Sequence, residues 1–300
     1  MFGGATIRGT LHSSGSILSR ESNTLDGQVT NLGSLNVQTV RTGSFLPTAR
    51  LSLTNGMVNE GQIRFSDSVQ PASAVLEAVG GTLVNEATGT IEVSGPGNRS
   101  LKGAIENHGL IELLQHDLTV GNGSTLTSDG TITVPSGHSL RVDGGRFNPA
   151  SGTINGIVQV LNGSVGSGVI NQGGVFWLLG GNTFVAGTDF RNEGYMIVWG
   201  DNVLDGQVTN APSARLQVQA RSGLSSGLTF SNGFANEGLV QLTHTTGTSA
   251  NATLTLTGGQ LSNSSSGVIE VYAGAGGGGR AINGPIENEG LLRLVDSNLT

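Results

Sequence analysis

Apolar and polar residues alternate along this chain in a phrase that keeps returning. Ile286-Glu287-Asn288-Glu289-Gly290-Leu291-Leu292-Arg293-Leu294 reads apolar-x-Asn-x-Gly-x-apolar-x-apolar. Met57-Val58-Asn59-Glu60-Gly61-Gln62-Ile63-Arg64-Phe65 repeats it, as do residues 105–113, 190–198 and 234–242. Looser copies carry Asn31, Asn85, Ser128, Asn148, Asn171, Asn210 and Asn263 at the Asn position. About twelve copies at a steady spacing are the mark of a solenoid.

Counted from the Asn, the residue two before is apolar, and so are the residues four and six after, as in Ile63 and Phe65 or Ile111 and Leu113. Period two means a strand with one face turned in. A second apolar pair follows, such as Leu51 and Leu53 or Leu140 and Val142, and then a glycine-bearing turn such as Asn55-Gly56 or Gly258-Gly259. β-Branched residues and glycine are abundant and helix formers sparse, so helix fits poorly. The pattern predicts an all-β fold: a single-stranded, right-handed parallel β-helix (β-solenoid) of about twelve coils of roughly 23 residues, each with about three short strands.

The Asn falls on the inward parity, at a corner, where an amide without partners is costly. Asn31, Asn59, Asn85, Asn107, Asn171, Asn192, Asn210, Asn236, Asn263 and Asn288 are expected to stack as a ladder along the coil axis, each supplying the next. The plainer alternative is that Asn serves only as a turn residue.

A longer period contains the short one. Asn23-Thr24-Leu25-Asp26-Gly27-Gln28-Val29-Thr30-Asn31 returns as Asn202-Val203-Leu204-Asp205-Gly206-Gln207-Val208-Thr209-Asn210. Ile105-Glu106-Asn107 likewise returns as Ile286-Glu287-Asn288, giving a unit of roughly 180 residues. The expectation is one continuous solenoid over 1–300, cut from a longer tandem array. A long-unit boundary falls near 201, with 23–201 a first unit and 202–300 a partial second. No secretory signal opens the chain, which fits such a piece.

Composition narrows the partners. Net charge is −7 and Lys102 is the single lysine, so nucleic acid and anionic membrane surfaces are poor partners. No apolar run is long enough to insert in a membrane. Cysteine is absent, so no disulfide staples the fold. The five histidines are scattered and no calcium-binding repeat occurs, so neither a metal nor a cofactor is expected.

Two places can carry chemistry. Length variation concentrates at one corner, over 38–50, 66–74, 94–100, 219–226, 243–252 and 272–280, and such insertions line one edge, often a binding edge. Drift in surface loops explains them equally well. Position five after the Asn, outward and usually polar, becomes Phe176 and Ile197 in adjacent coils, beside Tyr195 and Trp199. Six of the 13 aromatics lie within 176–199. An exposed apolar stripe of Phe176, Tyr195, Ile197 and Trp199 suggests a surface for glycans or for other copies of the chain. The competing reading buries Trp177, Phe184 and Phe190 in the core. For catalysis, Glu92 and Glu112 share an outward position near Arg64, as paired carboxylates or simply as a solvated charge ladder.

The Asn-x-Gly-x-apolar-x-apolar phrases resemble the β-helix repeats of Gram-negative type V secretion: filamentous-haemagglutinin-like adhesins and autotransporter passengers. Residues 181–188 resemble the autotransporter-associated strand repeat, with Ala186 where glycine is usual. The resemblance implies an extracellular or cell-surface structural and adhesive role without catalysis. A carbohydrate-binding or polysaccharide-cleaving β-helix, and a filament subunit stacking end to end, stand as alternatives.

Overall fold

A computed structural model describes residues 4–39, 48–66, 72–170, 173–184, 188–221, 223–245, 249–272 and 278–295. Every named strand pairing in it is parallel, and the described residues make a right-handed type of β-solenoid of about 12 turns with no helix. The chain divides into two compact units, Met1–Ile157 and Val158–Thr300.

In the first unit a coil is built from three short strands, as in Thr48–Leu53, Met57–Asn59 and Gln62–Phe65. In-register stacking turns the period-two pattern into rows that run from coil to coil. Leu35, Ile63, Ile91, Ile111, Ile132 and Ile154 form one row, each paired with the next. Leu51, Leu76, Leu101, Val120 and Val142 line a second side. Met57, Leu83, Ile105, Leu126 and Phe147 line the third. All are buried. Each such side chain contributes about 1.5–3 kcal/mol by leaving water, which no coil could gain alone.

The second unit repeats the scheme. Phe176, Met196, Leu216, Val240 and Ile269 form one row, and Leu178, Val198, Val218, Leu242 and Val271 the row beside it. Phe234 and Leu261 stack on the third side.

At the Asn corner the amides touch. In the first unit Asn31 Nδ2 donates to Asn59 Oδ1 at 2.7 Å, Asn59 to Asn85 at 2.7 Å and Asn85 to Asn107 at 2.7 Å. Asn107 then donates to the Ser128 hydroxyl at 2.9 Å. In the second unit Asn192, Asn210, Asn236, Asn263 and Asn288 make the same chain, at 2.8, 2.9, 2.7 and 2.6 Å. Each amide also reaches a backbone carbonyl, as Asn59 does Gly61 O and Asn236 does Gly238 O.

The Gly two residues on has its own cause. A Cβ on Gly61 would stand 2.2 Å from Gly33 O, and one on Gly238 2.2 Å from Ala211 O. The neighbouring coil's backbone occupies that space, so Asn-x-Gly records a close approach rather than a left-handed turn.

Two copies of the phrase sit one residue out of step. Ile170, not Asn171, pairs with Asn192, and Asn171 itself lies outside the described residues. Asn148 pairs with Thr127 and bonds its hydroxyl at 3.0 Å, turned away from the amide row. Because the side-chain period is two, one residue of slip exchanges the faces.

Candidate interaction surface

The slip decides which aromatics show. Measured from Ile170, Phe176 falls six residues on and joins the core, 0% exposed, against the expectation that it faces out. Its neighbour Trp177 takes the outward place and is half-buried there, against the alternative that it lies in the core. Ile197 does point outward, paired with Trp177 on one side and Gln217 on the other. It is nevertheless only 7% exposed, too enclosed to act as contact surface. Tyr195 and Trp199 are half-exposed on the same face. Phe190 is core, and the side chain of Phe184 lies outside the description.

Two paired strands carry this ledge: Gly174–Leu179 presents Val175, Trp177 and Leu179, and Tyr195–Trp199 presents Tyr195, Ile197 and Trp199. The indoles of Trp177 and Trp199 lie 4.8 Å apart between centroids, inclined at 55°. Indole and aliphatic groups in register on adjacent strands strengthen the pairing as cross-strand neighbours do.

Polar groups frame the rings. The Arg215 guanidinium lies 4.8 Å over the Tyr195 ring and that of Arg221 4.1 Å over Trp199, both within cation–π range. Trp199 Nε1 donates to Gln219 Oε1 at 2.8 Å, and the Tyr195 hydroxyl donates to Gln217 Oε1. Burial pushes the Tyr195 phenol pKa up, while the nearby Arg215 charge pulls it the other way. Trp177 Nε1 is buried with no acceptor.

Below the ledge a second amide pair fixes the corner. Asn182 Nδ2 donates to Asn202 Oδ1 at 2.9 Å and to Val160 O at 2.9 Å. Asn202 Nδ2 in turn holds Trp199 O and Gly200 O, each at 3.1 Å. Both amides are buried, so the backbone that carries Trp199 is pinned from inside. Beside it opens a pocket of about 350 Å³ lined by Leu161, Leu179, Trp199, Arg221 and Leu224, with Gly180 and Gly200 as its floor. Leu224 is 56% exposed. Reciprocal backbone bonds between Arg221 and Leu224, 3.0 and 2.7 Å, close the turn that brings both to the rim.

The other expected chemistry is held differently. Glu92 takes Arg64 Nε on one oxygen at 2.9 Å, with Arg64 Nη2 at 3.0 Å and Gln62 Nε2 at 2.9 Å on the other. It is only 8% exposed. A carboxylate so occupied has little capacity left for proton transfer. Much of the variable corner lies outside the described residues, including 40–47, 67–71, 246–248 and 273–277. Two arginines secure two of its turns: Arg99 donates to the carbonyls of Ala72, Pro96 and Asn98, and Arg280 to those of Tyr272 and Gly278. They are counterparts one long unit apart, and both sit on the inward parity.

Sequence pattern alone missed Trp177, Arg215, Arg221, Leu224 and the Asn182–Asn202 pair. One signal was present. It marks only the other slipped copy: Asn148 has Arg146, not an apolar residue, two places before it, whereas Asn171 has the regular Val169.

Known proteins share this fold. A family model described as the BigA third pectate lyase-like domain matches residues 5–182, a length close to that of the long repeat. A solved structure, the TibC-catalyzed hyper-glycosylated TibA55-350 fragment, superposes with a TM-score of 0.50 at 16% identity, covering 97% of this chain and 99% of that one. No curated protein sequence matches.

Proposed function

Because the chain belongs to the family of the BigA third pectate lyase-like domain, we propose that it is a structural and adhesive segment of a cell-surface passenger protein, and not a lyase. One observation carries the reading: an outward ledge of Trp177, Tyr195 and Trp199, framed by arginines, in a row that the following coils continue with Gln217, Gln241, Glu270 and Arg293. Aromatic side chains held rigid on strands make contact surface at low entropic cost. The Asn-x-Gly phrases and their resemblance to type V secretion passengers support an extracellular location. The long repeat supports a tandem array of such domains, each adding further coils. Against a lyase stands the engagement of Glu92 by Arg64 and Gln62.

The test is attachment. Beads coated with the full chain are expected to adhere to epithelial cell layers. Replacing Trp177 and Trp199 together by Ser should remove most of that adherence without changing the circular dichroism of the β-structure. Adherence that survives the double change refutes the ledge as contact surface. Product release from polysaccharides by the native chain would refute the non-catalytic reading.

A further inference from the structure

The pocket beside Trp199 has a feature the adhesive reading leaves unused. Its walls are Leu161, Leu179, Leu224 and the indole, yet a guanidinium stands at its rim. Among the described residues no carboxylate pairs with Arg221. Asp201, close by in sequence, leans instead toward Gly227, where its Oδ1 would lie 2.7 Å from an added Cβ. In a chain with 14 Lys and Arg against 21 Asp and Glu, a cation left without an acid beside an apolar hollow is a placement with chemical content.

We infer that this pocket binds the carboxylate-bearing ring of an acidic saccharide, with Arg221 holding the carboxylate and the leucine and indole walls taking the ring's C–H face. The inference rests on the contact reading above and adds the ligand class. A guanidinium lying over a ring spends its flat face on that ring and keeps its in-plane N–H groups, which match a carboxylate two to two. The cation lies 4.1 Å from the Trp199 ring centre, so charge and apolar wall are closely spaced. A sugar acid carries its carboxylate and its apolar face on one compact ring. An extended peptide carries the side chains of one face about 7 Å apart, wider than this spacing of charge and wall. Shallow pockets of a few hundred Å³ with few polar groups suit one or two such rings.

The experiment uses the full chain and four immobilised trisaccharides: one ending in glucuronate, one in N-acetylneuraminate, and the neutral counterpart of each, carboxyl-reduced or desialylated. At least one acidic form should bind on the order of tenfold more tightly than its neutral partner. Arg221→Gln should erase that difference, Arg221→Lys should recover part of it, and Arg141→Gln in the first unit should leave it unchanged. The two acids distinguish a uronate from a sialic-acid ligand. Equal binding of acidic and neutral forms, or an acid preference that persists in Arg221→Gln, overturns the inference. So does a failure to bind any of the four, or displacement of bound cells by an acidic peptide alone. In each of those cases attachment that still depends on Trp177 and Trp199 leaves the adhesive reading standing, while loss of attachment by the native chain removes it separately.

Discussion

Asn85 accepts from Asn59, donates to Asn107, and has no water to fall back on. Replacing it by Ala leaves an amide hydrogen and a carbonyl oxygen buried without their partners. That costs about 1–3 kcal/mol. A lower urea midpoint for Asn85→Ala, beside an unchanged one for the exposed neighbour in Glu60→Ala, is the expected pair of results. Tyr195 behaves differently. Its raised pKa means the unfolded phenol ionises first, so its contribution is complete below the unfolded value near 10 and is lost as pH rises through the folded one. A spectrophotometric titration should show one tyrosine ionising late, and Tyr195→Phe should delete that phase. At this scale the sequence discloses the inward Asn because the amide recurs while its neighbours vary. It conceals the aromatics, because Asn171 offers a plausible frame one residue away from the true one at Ile170.

Among the elements, the strands are legible and the corners are not. Alternation in Gln62–Phe65 or Leu239–His244 states which side chains go in, since one face must be buried. Corners answer to neighbours that lie a coil away. Arg99 looks like an error in an apolar row until its guanidinium is found capping three carbonyls of the preceding corner. Arg99→Met should keep the row packed and free those carbonyls. Limited proteolysis within 94–98 should then quicken several-fold, with little change at the corner held by Arg280. An unchanged cleavage rate would mean the loop holds its shape without the arginine.

For the molecule as a whole, each coil's partners within its unit are the coils before and after it. Stability then accumulates as a sum over coils and their interfaces. Residues 1–157 expressed alone are therefore expected to keep their β-sheet circular dichroism and to melt cooperatively; a random-coil spectrum would contradict a solenoid that is stable by nearest neighbours. The repeated phrase predicts this architecture from a single coil. The ligand class is not legible in the same way, because Arg221 and Leu224 belong to a turn outside the phrase and meet Trp199 only once the coils are stacked.

The glycine two residues after amides such as Asn59 and Asn236, with a foreign carbonyl where its side chain would be, has a genetic corollary. A gene built this way can gain or shed an entire turn by recombination between its own copies, and where both neighbouring turns carry the Asn the amide chain closes again. Loss of one codon within a turn inverts inside and outside from there to the next corner. Natural length polymorphism in such genes should therefore come in steps of complete turns, so that the number of coils changes while Trp177, Tyr195 and Trp199 keep their places.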